Sequence, residues 1–146
     1  MKKIMNHKDD ACWAITTVLA EAEDGDRDAQ CAVGERFWYG DLVREDRTQA
    51  VYWYTQAAKR GHTHAQCCLA YAYALGEGVE KDLAQAAHWY SQAAQQGDII
   101  GIRALAACYA NGFGVERDPM KAYTLACEAI LQYKRPARTA EGFDRP

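Results

Sequence analysis

Residues 65–97 decide the fold, and they read AQCCLAYAYALGEGVEKDLAQAAHWYSQAAQQG. Residues 29–61, which lie 36 positions earlier, read AQCAVGERFWYGDLVREDRTQAVYWYTQAAKRG and align with them without a gap. The same step reaches a third copy, and it relates glycines, aspartates and alanines in register: Gly40, Gly76 and Gly112; Asp46, Asp82 and Asp118; Ala50, Ala86 and Ala122. A fixed period of this length is typical of a stacked array of supersecondary units.

Each unit is predicted to consist of two helices. In the first helix of the second unit, the small residue Ala70 follows Leu69, and the aromatic Tyr73 lies one turn beyond Leu69. A small residue at this position lets a partner helix approach closely. Gly76 and Gly78 then break the helix, because glycine tolerates the positive φ of a tight turn.

The second helix of each unit has a start signal. Asp46 and Asp82 are each followed after three residues by a glutamine, which is the spacing of a capping box. Asp118 precedes a proline, a residue favoured at the first position of a helix. These three carboxylates are therefore interpreted as helix caps rather than as acid–base catalysts.

The register of the units gives the predicted domain organisation. Residues 1–133 are expected to form a single solenoid: a half-repeat helix at about residues 10–24, then repeats at about residues 26–61, 62–97 and 98–132. The half-repeat helix is expected to cap the apolar end of the stack. Residues 134–146 have no apolar period and are expected to be a flexible, basic tail. The predicted fold class is all-α, a right-handed α-solenoid of helical hairpins.

These repeated residues resemble the Sel-1-like repeat family, which is related to the tetratricopeptide repeat. The second unit carries the fullest set of matching positions: Ala65, Leu69, Tyr73, Gly76, Gly78, Val79, Asp82, Ala86, Trp89, Tyr90, Ala93, Ala94 and Gly97. The first unit departs at Leu42, where the second turn glycine belongs, so a different turn is expected there. The resemblance implies adaptor or scaffold roles, and it supplies no common catalytic residue.

Composition and charge exclude several classes of partner. The chain has 146 residues and a net charge of −3, so a general attraction to nucleic acid or to an anionic membrane is not expected.

The six cysteines do not recur as a pair in each unit, and the expected location is a reducing bacterial cytoplasm. The apolar run at residues 11–20 imitates a signal peptide, which leaves a periplasmic or secreted location as the alternative.

The binding surface is predicted on the first helices, which line the concave side of such an array. The positions opposite the core aliphatic residue, with adjacent edge positions, give the candidate partner-binding residues: Asp28, Cys31, Glu35, Trp38, Tyr39, His64, Cys67, Tyr71, Ala74, Ile100, Arg103, Ala107 and Asn111. Because Trp, Tyr and Arg often anchor interfaces, a groove for a peptide or helix of a partner protein is predicted.

For Trp38 and Tyr71, packing between neighbouring repeats is the alternative to partner binding. If Trp38 belongs to the groove, replacing it by alanine costs little stability. If Trp89 is buried between hairpins, as expected, the same replacement there costs about 3–5 kcal/mol.

Only one cluster in the sequence has metal-ligand residue types at close spacing, and it consists of His62, His64, Cys67 and Cys68. It supplies three ligands to one site, whereas a structural zinc site needs four. Because Cys67 repeats Cys31, its position in the repeat is sufficient to explain it. No metal, cofactor or small-molecule substrate is therefore expected.

The predicted function is that of a non-catalytic protein–protein interaction module. The sequence contains no nucleophile elbow, phosphate loop or dinucleotide fingerprint, so the chain is not expected to be an enzyme. A dedicated inhibitor, such as the immunity partner of a toxin, is one alternative. A metal-dependent or hydrolytic enzyme is the other.

Overall fold

The computed structural model describes residues 7–134, and in the first helix it describes the side chains from Cys12 onward. This part of the chain has no strand and contains seven α-helices: α1 His7–Glu23, α2 Arg27–Tyr39, α3 Arg47–Lys59, α4 Thr63–Leu75, α5 Leu83–Gln95, α6 Ile99–Asn111 and α7 Pro119–Lys134. Helices that follow one another along the chain pack together, so α2–α3, α4–α5 and α6–α7 form three hairpins. The prediction of an all-α solenoid is confirmed. Residues 135–146 of the predicted tail lie outside the described residues.

Capping side chains determine where the second helices begin. The carboxylate of Asp46 accepts a hydrogen bond from the backbone N–H of Gln49 at 3.1 Å. Asp82 and Asp118 accept equivalent bonds at the starts of α5 and α7. Such bonds satisfy amide groups that have no partner in the first helical turn. The prediction that these three carboxylates are helix caps is confirmed.

The turn inside each hairpin requires a left-handed backbone conformation at its second glycine position. Gly78 and Gly114 have φ values of 72° and 70° there, and Leu42 has a φ of 63°. A Cβ atom on Gly78 would lie 2.2 Å from the backbone oxygen of Arg47. The turn of the second hairpin therefore needs glycine, because any side chain there would clash with the preceding hairpin. Leu42 is exposed and keeps the same conformation. The expectation of a different turn in the first unit is therefore wrong.

Small residues bring the helices of a hairpin close together. Gly34 on α2 faces Tyr54 on α3, and a Cβ atom on Gly34 would lie 2.7 Å from Cδ1 of that ring. Tyr54 and Leu69 are fully buried in the core, together with several alanines. This packing agrees with the predicted role of the small residue that follows the core aliphatic position.

Buried glutamines join successive units. Nε2 of Gln30 donates to the backbone oxygen of Ala22 at 3.0 Å, and Nε2 of Gln66 donates to that of Ala58 at 3.1 Å. Oε1 of Gln66 also accepts from Nε2 of Gln96 at 3.0 Å. Because buried polar groups need partners, these bonds fix the contact between one unit and the next.

Helix α1 packs on α2 at the N-terminal end of the stack. Val18 and Leu19 contact a buried cluster formed by Ala22, Ala29 and Val33. This packing agrees with the end-capping role expected for a helix at residues 10–24. No helix in the described part of the chain is both long and apolar enough to cross a membrane.

Candidate partner-binding groove

One pocket of about 220 Å³ lies across the first helices α2, α4 and α6. We call this pocket and its rim the groove, and side chains from five helices line it: Trp38, Tyr39, Tyr54, His64, Cys67, Cys68, Tyr71, Tyr90, Ile100 and Ala104. Six of these residues belong to the predicted binding surface: Trp38, Tyr39, His64, Cys67, Tyr71 and Ile100. Tyr39, Tyr71 and Ile100 are 74%, 51% and 58% exposed. The structure therefore brings predicted residues of three successive units to one opening.

Trp38 forms a buried wall of the groove rather than an exposed anchor. Its side chain is 7% exposed. Its ring centroid lies 6.1 Å from that of Tyr54 and 6.3 Å from that of Tyr71, and the guanidinium of Arg47 lies 4.2 Å from the centroid of its ring. The expected exposure of Trp38 is wrong, because its ring packs against Tyr54 and Arg47 of its own hairpin partner α3 and against Tyr71 of the next unit. Trp89 is partly buried at the edge of the same cluster.

Cys31 and Cys67 are also buried, so the expectation that both lie on an exposed face is wrong. Burial raises the pKa of each thiol to about 12. Sγ of Cys67 lies 3.8 Å from a carboxylate oxygen of Asp98, at the start of α6. Cys67 therefore packs where the second unit meets the third, and Cys31 belongs to the buried cluster where the first unit meets the second.

The end of the groove near α2 carries a polar cluster. Nε2 of His64 lies 2.8 Å from Oε1 of Glu35, and Nε2 of His62 lies 3.2 Å from Oδ1 of Asp28. Sγ of Cys68 lies 3.6 Å from Nε2 of His64. The hydrogen bond with Cys68 raises the pKa of His64 to about 9 against the opposing effect of burial, and Glu35 adds to the rise.

Three side chains in this cluster could contribute metal ligands. Cys31, Glu35 and His64 each place one potential ligand atom within 4.8 Å of the other two. Thiolate, carboxylate and imidazole groups are the ligands of zinc in proteins. The sequence cluster at residues 62–68 shares only His64 with this set, because Cys67 points towards the start of α6.

The remaining predicted residues lie away from the groove. Arg103 lines a separate pocket of about 510 Å³ between α6 and α7, where Tyr133 is one of its neighbours. Ala74 is half-buried and Ala107 is exposed. The side chain of Asn111 donates to the backbone oxygen of Ala107 at 2.9 Å. The structure therefore does not join Arg103 to the aromatic residues of the groove.

Sequence reasoning missed four of the lining residues: Tyr54, Cys68, Tyr90 and Ala104. Tyr54 and Tyr90 occupy the same position in successive units, and so do Cys68 and Ala104. The 36-residue period could have identified these residues, because equivalent positions line the groove in successive units. They were missed because the prediction used only one face of the first helices.

Comparisons with known proteins agree with this architecture. The family model of the Sel1 repeat matches residues 27–62, 63–98 and 100–133. A comparison with curated proteins finds no significant match. Among solved structures, a protective antigen present in uropathogenic Escherichia coli strains, which displays an SLR fold, is 35% identical with a TM-score of 0.78. That match covers 81% of this chain and 25% of the antigen, so the chain spans about a quarter of that protein.

Two further solved structures are similar over most of their own length. A Sel1 repeat protein from Oxalobacter formigenes is 31% identical with a TM-score of 0.74, and the match covers 82% of this chain and 90% of that one. Cysteine rich protein B of Helicobacter pylori shares the fold at 21% identity and a TM-score of 0.66, over 87% of this chain and 91% of that one. Since the family model accounts for most of the sequence in three consecutive matches, the chain belongs to the Sel1 repeat family.

Proposed function

We propose that this chain is a non-catalytic binding module that holds a segment of a partner protein in the groove. Members of the Sel1 repeat family are generally protein-interaction modules and are typically non-catalytic. The observation that carries the proposal is the convergence of Tyr39, Tyr71 and Ile100, which belong to three successive units, on one opening. Exposed apolar side chains gathered at one opening mark an interaction site more often than those scattered singly over a surface.

The shape of the groove favours an apolar anchor on the partner. Buried aromatic and apolar anchors supply most of the binding energy in protein interfaces. A cavity of about 150 Å³ lined by apolar side chains is sufficient to hold benzene. The groove, at about 220 Å³, therefore admits one large apolar side chain. The buried ring of Trp38 gives that side chain a rigid wall to pack against.

Charge at the rim favours a basic group next to the apolar anchor. The carboxylate of Asp28 is 82% exposed and lies beside His62 in the polar cluster, whereas the carboxylate of Glu35 is paired with His64. Complementary charge at a rim accelerates association and fixes the orientation of the bound segment. We therefore expect an amphipathic segment whose apolar anchor is accompanied by lysine or arginine.

The test compares two matched triple variants of the full chain. The groove variant combines three substitutions: Tyr39→Ala, Tyr71→Ala and Ile100→Ala. The control variant removes side chains of similar size and exposure outside the groove: Tyr52→Ala, Tyr123→Ala and Leu131→Ala. Circular dichroism first establishes that both variants keep the helical content of the wild type.

Partners captured from the source cell are identified by mass spectrometry, and each purified partner is then titrated against the three chains. We expect the groove variant to lose at least about 30-fold in affinity, as for removal of about 2 kcal/mol of interface energy. The control variant should bind like the wild type. If a partner binds the groove variant with the affinity of the wild type, the proposal is contradicted. A loss of affinity confined to the control variant would place the site on the second helices.

The same titrations separate an adaptor from a dedicated inhibitor. A dedicated inhibitor, such as an immunity protein, would bind one partner with a Kd of about 1 nM or lower and would block its activity. An adaptor would bind several proteins that share an amphipathic segment, with a Kd closer to about 1 μM. The adaptor is favoured because Tyr39, Tyr71 and Ile100 at the rim are at least half exposed, so the groove does not fully enclose a bound side chain.

A further inference from the structure

Two pairs of potential metal ligands face each other where the first unit meets the second. Cys31 and Glu35 lie one turn apart on α2, and His64 and Cys68 lie one turn apart on α4. Potential ligand atoms of the first three lie within 4.8 Å of one another, and Sγ of Cys68 lies 3.6 Å from Nε2 of His64. We propose that these four side chains form a binding site for Zn²⁺.

Potential ligand atoms of three of the four side chains already lie close to the separation that such a site needs. Tetrahedral zinc has bonds of about 2.3 Å to sulfur and about 2.0–2.2 Å to nitrogen or oxygen, which places its ligand atoms about 3.5 Å apart. The 3.6 Å between Sγ of Cys68 and Nε2 of His64 already matches this separation. Oε1 of Glu35 is hydrogen-bonded to the same nitrogen at 2.8 Å, and the metal would replace that bond. Sγ of Cys31 lies within 4.8 Å of the other two ligand atoms and has to approach by up to about 1.3 Å. Sγ of Cys68 lies outside that group of three and has to move to complete the tetrahedron.

The helices preorganise the four ligands. A spacing of four residues places two side chains on one helical face, as in zinc sites in which one helix supplies two histidines at this spacing. Two neighbouring helices with such pairs supply the four ligands of a tetrahedral site. Cys31 is buried, whereas Glu35 and His64 are partly exposed. The site is therefore closed on the side of the core and accessible to an ion from solvent.

Packing between units does not require these residue types. One period later, the corresponding positions carry no set of metal ligands: Cys67, Tyr71, Ile100 and Ala104. The second and third units nevertheless pack in the corresponding way, α5 against α6 as α3 against α4. The coincidence of a carboxylate, an imidazole and a second thiol at the first contact therefore has a cause other than the stacking of repeats.

Zinc binding goes beyond the proposed function and does not depend on it. The experiment uses the metal alone, so its outcome is separate from that of the partner titrations. The reduced full chain, stripped of metal with a chelator, is titrated with Co²⁺, which is then displaced by Zn²⁺. We expect saturation at one equivalent of Co²⁺ with a thiolate-to-cobalt charge-transfer band, and loss of that band when Zn²⁺ is added.

Matched variants identify the ligands. We expect Cys31→Ser and His64→Gln to lower Zn²⁺ affinity at least about 100-fold, since loss of even an outer-shell partner costs up to about that factor. Cys108→Ser is the control, because Cys108 is a similarly buried thiol outside the cluster, and it should bind zinc like the wild type. If Cys31→Ser fails to fold, His64→Gln and Glu35→Gln decide the question, because both change partly exposed side chains.

Two outcomes overturn the proposal. The first is weak Co²⁺ binding without a thiolate charge-transfer band, which would mean that no cysteine is a ligand. The second is wild-type zinc affinity in His64→Gln, which would place any bound metal elsewhere on the chain.

Discussion

Trp38→Ala removes the largest side chain in the central core cluster. From its position on the helix, Trp38 was expected to be an exposed binding residue. The indole is 7% exposed and lies between the rings of Tyr54 and Tyr71. These residues come from the same hairpin and from the next one. The substitution therefore tests the packing inside the first unit together with the contact between units.

The expected loss is about 3–5 kcal/mol of unfolding free energy, the usual cost of truncating a buried Trp or Phe to alanine. Within this total, each aromatic pair contributes about 0.5–1.5 kcal/mol beyond area burial. The cation–π contact with Arg47, whose side chain is 34% exposed, contributes about 0.5–1 kcal/mol. Arg47→Ala should lose that part together with the partly exposed ion pairs of Arg47 with Glu45 and Glu77, each worth up to about 1 kcal/mol.

Urea denaturation followed by circular dichroism measures this loss, and an unchanged m-value shows that the same cooperative unit unfolds. Trp13→Ala is the matched control, because Trp13 is 72% exposed and its removal should change stability by no more than about 0.5 kcal/mol. A loss below about 1 kcal/mol for Trp38→Ala, or equal losses for the two variants, would refute the assignment of Trp38 to the core.

Three further predictions concern other parts of the stack. Gln66→Ala should lower the free energy of unfolding by about 1–3 kcal/mol, because it removes two hydrogen bonds between units: the one from its Nε2 to the carbonyl of Ala58, and the one that its Oε1 accepts from Gln96. A change below about 0.5 kcal/mol in urea denaturation would contradict this. Leu42→Gly should raise the free energy of unfolding by up to about 1 kcal/mol. A positive φ costs leucine about 1–2 kcal/mol, and the greater freedom of glycine in the unfolded chain offsets part of this gain. Destabilisation would show that the leucine side chain makes a contact that outweighs its backbone strain. Iodoacetamide at neutral pH should alkylate exposed Cys12 quickly, whereas Cys67, buried and with its pKa raised to about 12, should react only as the protein unfolds. Equal labelling rates by mass spectrometry would mean that Cys67 is accessible in the folded chain.

The sequence predicted the fold because each structural signal lies within one period of 36 residues. Caps such as Asp46 and Asp82 act on amides two or three residues away. Glycines such as Gly76 end helices through their own backbone conformation. Local signals of this kind, repeated in register, are sufficient to predict a helical hairpin and its stacking.

The binding surface was predicted less well because it depends on contacts between units. A helical wheel divides α2 into a packed face and an exposed face, but α2 is packed by its own hairpin partner and by the next unit. Trp38 and Cys31 were therefore expected at the surface and are buried. Tyr39, Tyr71 and Ile100 are exposed as predicted, because neighbouring units leave at least half of each side chain uncovered.

The cluster of metal-ligand residues could not be recognised from local spacing. Cys31 and His64 are almost one full repeat apart in the sequence and lie on different helices. A search for ligands close together in sequence therefore selected residues 62–68, where Cys67 points to another contact. Stacking of one unit on the next brings Glu35 to His64. Only the register of the repeat could have indicated this proximity in advance.

The measurement that tests the central claim most directly is calorimetric titration of a captured partner with the wild type, the groove variant and the control variant. Binding to the wild type and control with equal affinity, and at least about 30-fold weaker binding to the groove variant, is the predicted result. Equal affinity for all three folded chains would contradict the account, because Tyr39, Tyr71 and Ile100 would then be exposed without contributing to recognition.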